Sequence, residues 1–166
     1  MPDPLHLDQQ LCFALYSASR AVVRAYAPML DPLGLTYPQY VTLLVLWEED
    51  GLPVKHLGER LALDSATLTP LLKRLEKQRL VERKRDREDE RVVRIHLTAE
   101  GRALRAKARR VPTELACRAG YDPDDARALA RLGTLREELD RLVRQLDDGA
   151  CAPPSSAPSP RSRRAR

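Results

Sequence analysis

The stretch 64–101, DSATLTPLLKRLEKQRLVERKRDREDERVVRIHLTAEG, changes its hydrophobic period halfway along. Its first part repeats leucine at helical spacing, which predicts a helix with one buried face. In its second part, Val81–Arg85 and Val93–Leu97 alternate apolar and polar residues as strands do, and the charged segment 86–91 suits an exposed hairpin tip. A short helix pattern at 54–61 precedes the stretch. A short helix, a turn, a second helix and a basic hairpin together predict a winged helix-turn-helix.

The start of the second helix is ambiguous, because Pro70 lies inside the leucine repeat. Proline removes a backbone donor and clashes with the preceding turn of a helix. The helix therefore begins either at Thr69 as its cap, with Pro70 in the first position, or near Ser65, with a bend tolerated at Pro70. The sequence leaves both possibilities open.

Helix patterns flank this unit on both sides. The first, 7–30, carries a heptad-like apolar stripe. On the other side, a helix capped by Thr98 runs to about residue 116, and a last helix follows to about residue 146. A partner chain explains such stripes better than one small winged domain does, so we expect a homodimer.

The predicted fold class is therefore mainly α with a small β-hairpin wing. We expect a single domain over 1–149, with the winged helix over about 38–98 and dimerisation helices over about 7–30 and 99–147. The remainder, 150–166, is rich in proline, serine and arginine and is expected to be a disordered basic tail.

Positive charge is concentrated in the winged unit. The formal net charge is +5, but four arginines lie in the tail without an acid, which leaves 5 − 4 = +1 for the rest. Between residues 73 and 94, ten basic residues outnumber six acidic ones, an excess of 10 − 6 = +4. A charge run is often only a solvated face. Here it coincides with a helix-turn-helix pattern and a wing, which favours binding of double-stranded DNA.

The expected DNA contacts fall into two groups. Hydroxyl side chains of the second helix suit base edges, while lysine and arginine suit phosphates, and an arginine at the wing tip suits a narrow minor groove. A two-fold dimer pairs with a pseudo-palindromic operator. The predicted contact residues are Ser65, Thr67, Thr69, Lys73, Arg74, Arg85, Arg87 and Arg91.

Other classes of protein are disfavoured by what the sequence lacks. No run approaches the ~20 apolar residues of a membrane span, and the N-terminus has no signal-peptide pattern, so we expect a cytoplasmic protein. The cysteines, Cys12, Cys117 and Cys151, form no CxxC pair, and the histidines have no ligand spacing, so we expect neither a metal nor a cofactor. We do not expect an enzyme, because a winged helix is an unusual scaffold for a thiol peroxidase and no arginine adjoins Cys12 in sequence.

Cys12 stands among leucines in the segment 7–20, LDQQLCFALYSASR. A free cysteine often packs as a small apolar residue, whereas a reactive thiol needs a stabilised thiolate and access for the oxidant. Four of the five tyrosines, Tyr16, Tyr26, Tyr37 and Tyr40, lie in the first forty residues. Their hydroxyls can hydrogen-bond a thiolate in an apolar pocket, or the rings can simply pack. The residues alone leave both readings open.

The stretch 64–101 resembles the core of the MarR family of dimeric winged-helix regulators, most of all at DER followed by alternating apolar residues and LT. LDQQLCFALYSASR, LDPLGLTYPQY and LVLWEEDG resemble more narrowly the organic-hydroperoxide sensing branch, OhrR. The resemblance spans about 7–146. It implies that Asp89 orients the wing arginine Arg91. It also implies that Cys12 is the redox sensor, with Tyr26 and Tyr37 hydrogen-bonding its sulfur from the partner subunit.

The resemblance further implies a two-cysteine mechanism. Two-cysteine members place their second cysteine at the position of Cys117, after a VP-containing stretch like Val111-Pro112, and pair it across the dimer. The expected function is a repressor that leaves its operator when organic hydroperoxide oxidises Cys12. Cys151 is either a competing partner or incidental. The alternatives are a repressor relieved by reversible binding of a small aromatic ligand and a sequence-nonspecific DNA-compacting protein.

Overall fold

The structure of the protein, a computed structural model, describes residues 3, 5–122 and 124–149. The predicted basic tail and Cys151 lie outside these residues. Two compact units are present, one up to Gly120 and one from Tyr121 onward. The helices and strands in chain order are α1 Leu11–Leu30, α2 Tyr37–Glu48, β1 Leu52–Pro53, α3 Val54–Leu61, α4 Ser65–Lys77, β2 Val81–Arg85, β3 Val93–Leu97, α5 Ala99–Ala108, α6 Val111–Arg118 and α7 Ala126–Asp147. The predicted fold class is confirmed, since these elements are mostly helical with one small antiparallel sheet.

Helix α4 begins at Ser65, which decides between the two starts that the sequence left open. Asp64 is its N-cap, and the Asp64 side chain accepts a hydrogen bond from the backbone N–H of Thr67 at 2.7 Å. This cap satisfies one of the unpaired donors at the helix start. Pro70 is accommodated inside the helix, whose leucines at 68, 71, 72 and 75 are all buried. Capping and burial of one face therefore outweigh the proline.

Two predicted helix boundaries were wrong. The first helix begins at Leu11 rather than at residue 7, because Leu7–Gln9 forms a separate 3₁₀ turn. The helix after Thr98 stops at Ala108, and α6 starts at Val111 with a proline in its first turn. Proline fits there, where a missing N–H has no partner to lose, and does not fit a continuous helix.

The sheet has the strand order β1-β3-β2, with both pairs antiparallel. In the wing hairpin, Val81 lies opposite Leu97 and Arg85 opposite Val93, so both predicted strands are confirmed. Strand β1 was not anticipated, because two residues that include a proline carry no period. It pairs Leu52 with Ile95 and thereby ties the wing to the segment after α2.

A tight contact holds the start of α5 against α2 and against the segment that follows α4. The indole Nε1 of Trp47 donates a buried hydrogen bond to the carbonyl oxygen of Gly101 at 2.9 Å. A Cβ atom at Gly101 would lie 2.0 Å from the carbonyl oxygen of Leu80, so only glycine fits. This glycine fixes where the wing unit joins α5. Among the described helices, none is long and apolar enough to cross a membrane.

Candidate DNA interface and thiol sensor

The outward face of α4 is polar and exposed. Its buried leucines orient the helix, and the residues predicted to contact DNA are consequently turned to solvent: Ser65, Thr67, Thr69, Lys73 and Arg74. Hydrogen bonds from Thr67 lower the pKa of the capping Asp64 below its ordinary value. The structure therefore presents these side chains together on one helix.

The wing tip is organised by Asp86, a residue that the sequence analysis missed. Its Oδ1 accepts hydrogen bonds from the backbone N–H groups of Glu88 at 2.8 Å and Asp89 at 3.2 Å, and its Oδ2 forms an ion pair with Nε of Arg94. The hydrogen bond from Arg94, with the two backbone N–H groups, lowers the pKa of Asp86 to about 2. An aspartate that opens a charged hairpin and faces an arginine eight positions later was the available signal.

The resemblance implies that Asp89 orients Arg91, and in the structure Asp89 contacts the backbone of Arg91 and not its guanidinium. Its Oδ1 accepts a hydrogen bond from the backbone N–H of Arg91 at 3.0 Å, and its carbonyl oxygen accepts one from the N–H of Val92 at 2.9 Å. Asp89 therefore shapes the turn that carries Arg91. The side chains of Arg85, Arg87 and Arg91 are exposed around this turn.

The base of the wing is fastened to the rest of the unit. Nη1 of Arg94 donates to the carbonyl oxygen of Gly51 at 3.1 Å, and Oδ1 of Asp50 accepts the N–H of Leu97 at 2.7 Å. On the other strand, Nη2 of Arg83 donates to the carbonyl oxygen of Thr69 at 3.3 Å. The hairpin is thus linked through β3 to the segment after α2 and through β2 to α4.

Cys12 is the second residue of α1 and is exposed. The helix around it carries solvent-exposed apolar side chains, among them Leu11 at 61% and Val22 at 43% exposure. Tyr16, one turn further along, accepts a hydrogen bond from Nη1 of Arg20 at 2.7 Å, and that guanidinium lies 5.5 Å from the ring centroid. The start of α1 therefore leaves a thiol and an apolar surface open to an approaching partner.

Tyr26, near the C-terminal end of α1, lies beside Tyr37, the first residue of α2. Their ring centroids are 4.9 Å apart, and Tyr26 is 5.7 Å from Tyr40. Burial, with smaller contributions from Tyr37 and Tyr40, raises the pKa of Tyr26 to about 12, and burial followed by Tyr37 also raises that of Tyr40. The Tyr26 hydroxyl therefore stays protonated at neutral pH and remains able to donate a hydrogen bond.

Within one chain, Cys12 is remote from Tyr26. Both residues lie on α1, and 26 − 12 = 14 residues of helix correspond to about 21 Å along the axis. Cys117, on the last turn of α6, is likewise a free, exposed thiol, and α6 packs against α1. The predicted sensor residues thus form separate groups in a single chain, with Cys12 and Tyr16 apart from Tyr26 and Tyr37.

The chain is similar to known transcriptional regulators. A family model described as transcriptional regulator SarA/Rot matches residues 24–107. The chain is 54% identical over 138 residues to the HTH-type transcriptional regulator TtmR of Methylorubrum extorquens (strain PA1), covering 82% of this chain and 71% of that relative. It is 49% identical to the organic hydroperoxide resistance transcriptional regulator of Bacillus subtilis (strain 168), covering 82% of this chain and 94% of the relative.

The chain is also similar to solved structures of transcriptional regulators and of AbfR. Overoxidized AbfR bound to DNA superposes with a TM-score of 0.66 at 36% identity, covering 84% of this chain and 94% of that one. Disulfide-formed AbfR superposes with a TM-score of 0.60 at 35% identity, covering 86% and 92%. AbfR is a protein of Staphylococcus epidermidis.

Proposed function

The chain belongs to the MarR-like SarA/Rot family of transcriptional regulators, and we propose that it is a repressor that senses organic hydroperoxides through Cys12. The observation that carries this proposal is the exposed thiol at the start of α1, set in an apolar helix surface and separated from the tyrosines of its own chain. A regulator of this kind acts on the operator DNA in the cytoplasm. It consumes oxidant once per sensing event, without catalytic turnover.

A homodimer brings the separated groups together. The exposed apolar residues of α1 need a covering surface, and a second copy of the chain supplies one by two-fold symmetry. We propose that the partner's Tyr26 and Tyr37 then donate hydrogen bonds to the Cys12 sulfur and favour its thiolate.

The oxidation proceeds in two steps. The Cys12 thiolate attacks the distal oxygen of the hydroperoxide, the O–O bond breaks, and the released alkoxide takes up a proton to leave as the alcohol. The resulting sulfenic acid condenses with the Cys117 thiol of the partner subunit, which forms the S–S bond and releases water. A disulfide requires Cα atoms within about 7 Å, so helices that start further apart must move, and the wings move with them.

DNA recognition follows from the exposed face of α4 and from the wing. In the proposed complex, Ser65, Thr67 and Thr69 reach base edges in the major groove, and Lys73 and Arg74 contact phosphates. The wing arginines Arg85, Arg87 and Arg91 enter the adjacent minor groove, with Asp89 holding the turn that carries Arg91. Two such units bind the halves of a pseudo-palindromic operator. AbfR, the similar protein whose structures include DNA-bound and disulfide forms, supports this combination.

Replacing Cys12 by serine tests the sensor. Cys12→Ser should bind the operator as tightly as wild type does and should remain bound after organic hydroperoxide is added. Operator affinity measured by fluorescence anisotropy, with and without cumene hydroperoxide, gives the result. Release of the variant at the wild-type peroxide concentration would disprove the proposal.

The role of Cys117 needs its own variant. After peroxide treatment, wild type should run as a linked dimer on a non-reducing gel, whereas Cys117→Ser should not. A linked dimer that persists in Cys117→Ser would assign the second thiol to Cys151 instead.

A second candidate function is relief of repression by a small aromatic anion. An open pocket of about 570 Å³ lies between α3 and the wing, with apolar walls at Val54 and Val93 and cations at Lys55, Arg83 and Arg91 around them. Neither Cys12 nor the tyrosines line it. Salicylate-driven release that is unchanged in Cys12→Ser would favour this function over the thiol sensor.

A further inference from the structure

Two glutamines connect the segment that carries Tyr37 with the end of the recognition helix α4. Gln39, in the first turn of α2, is buried, and its Oε1 accepts the backbone N–H of Thr36 at 2.8 Å. Because that oxygen faces a donor, the Nε2 of Gln39 is left to donate, and it reaches Oε1 of Gln78 at 3.0 Å. Nε2 of Gln78 donates in turn to the carbonyl oxygen of Gly34 at 2.9 Å. We call these hydrogen bonds the glutamine bridge.

One end of the glutamine bridge adjoins the group of rings formed by Tyr26, Tyr37 and Tyr40, which we call the tyrosine cluster. Tyr37 is the first residue of α2, two positions before Gln39, and its ring lies 4.9 Å from that of Tyr26. Gly34, the other attachment point, belongs to the loop between these two tyrosines and has a left-handed backbone, φ 68°. Both groups that hold Gln78, Gln39 and Gly34, therefore lie within three positions of Tyr37 in the chain.

The other end of the glutamine bridge lies on the DNA-binding helix. Gln78 is the C-cap of α4, and its backbone N–H donates to the carbonyl oxygen of Arg74 at 3.0 Å. Arg74 belongs to the exposed face that is turned toward DNA in the proposed complex. The side-chain amides of Gln39 and Gln78 thus connect the tyrosine cluster to the helix that carries the exposed face of α4.

We infer that Gln39 and Gln78 are positioning residues that transmit the state of the tyrosine cluster to the recognition helix. The inference rests on the proposed sensor function. Apolar contacts between α2 and α4 tolerate small slides, whereas hydrogen bonds are directional and weaken steeply when misaligned. The Gln39 amide is buried and costly to leave without a partner, so the exposed Gln78 side chain follows it when α2 shifts. Oxidation of Cys12 in one subunit thereby displaces α4 of the subunit that supplies Tyr37.

The variant Gln78→Met tests the glutamine bridge. Methionine keeps the side-chain length and the helix propensity but loses both hydrogen bonds of the side-chain amide. Its reduced form should bind the operator within about threefold of wild type, and the ratio of oxidised to reduced Kd should fall about tenfold, a typical coupling between sites. Lys77→Met, an exposed neighbour at the same helix end, is the matched control and should keep the wild-type ratio. Mass spectrometry should show equal Cys12 oxidation in all three proteins.

An unchanged Kd ratio in Gln78→Met, at equal Cys12 oxidation, would overturn the inference. If wild type itself shows no peroxide-dependent Kd, the sensor function fails, and hydrogen exchange then decides the bridge. Tyr37→Ala should accelerate exchange at the amides of Gln78, Arg79 and Leu80 in the wild-type background, but not in the Gln78→Met background. Equal acceleration in both backgrounds would show that the glutamines transmit nothing.

Discussion

The winged unit and the start of α1 differ in whether a single chain supplies the contacts that each needs. In the winged unit, helix caps, sheet pairing and ion pairs have their partners within the same chain, and the leucines of α4 are buried. At the start of α1, Leu11, Phe13 and the Cys12 thiol are exposed, and Tyr26 lies about 21 Å away along the helix. The DNA-reading surface is therefore specified by one chain, whereas the proposed sensor requires two.

The largest expected effect concerns the closed packing of the winged unit. Gly101→Ala places a Cβ 2.0 Å from the carbonyl oxygen of Leu80, a backbone atom that cannot rotate away. We expect a loss of about 3 kcal/mol in the free energy of unfolding, measured by urea denaturation. Gly133→Ala is the control. It lies inside α7 with nothing within 4 Å of its Cβ position, so it should gain about 1 kcal/mol. Equal effects of the two variants would contradict the tight contact.

The next largest effect is expected at the exposed apolar surface of α1. Val22→Glu places a charge on an exposed apolar position, so it should leave the helix content unchanged while separating the dimer. Loss of one half-site per complex should then weaken operator binding by about 100-fold. Sedimentation equilibrium and circular dichroism measure the two properties. Val22→Ala, which stays apolar, should remain dimeric, and a dimeric Val22→Glu protein would assign the interface elsewhere.

A smaller effect is expected in the wing. Asp86→Ala removes the ion pair to Arg94 and the two backbone caps, so the tip loses its fixed shape and the operator affinity should fall about tenfold. Asp86→Asn, which keeps an acceptor for the backbone, should lose less. An operator affinity of Asp86→Ala equal to that of wild type would show that the wing needs no such support.

The titration of Asp86 provides the pH dependence of the wing. Its pKa is lowered from 3.8 to about 2, so the contribution of its charged form to stability is present above pH 3.8 and disappears as the pH falls through about 2. Carbon NMR of the carboxyl group should show this midpoint in the folded protein. In Arg94→Met, where the main cause of the shift is gone, the midpoint should return toward 3.8.

The smallest effect concerns Arg79, which follows α4 with a left-handed backbone of φ 59°. A side chain in this region costs about 1 kcal/mol relative to glycine. Arg79→Gly should therefore raise the free energy of unfolding by that amount in thermal melts, with Lys77→Gly, at the last residue of α4, as a destabilising comparison. A destabilised Arg79→Gly protein would mean that the arginine side chain makes a stabilising contact.

Local pattern made much of the winged unit predictable. The leucine period of α4 and the alternation in 81–85 and 93–97 are consequences of burial on one face, so they are visible in the sequence. The start of α4, strand β1 and the break before Val111 depend on a cap, a two-residue pairing and a proline position, which periodicity does not encode. The glutamine bridge joins residues distant in the chain, so only the fold reveals it. Asp86 and Arg94 lie eight positions apart in the predicted hairpin, so the sequence already carried a signal for their contact.

A mixed dimer tests most directly whether the sensor is completed across the dimer. One chain carries Cys12→Ser and the other carries Tyr26→Phe with Tyr37→Phe, and each is tagged separately so that the heterodimer can be purified. We predict that the remaining Cys12 of this heterodimer is oxidised by cumene hydroperoxide at the wild-type rate, because its partner supplies both tyrosines. Oxidation at the slow rate of the Tyr26→Phe, Tyr37→Phe homodimer would contradict a sensor shared between subunits.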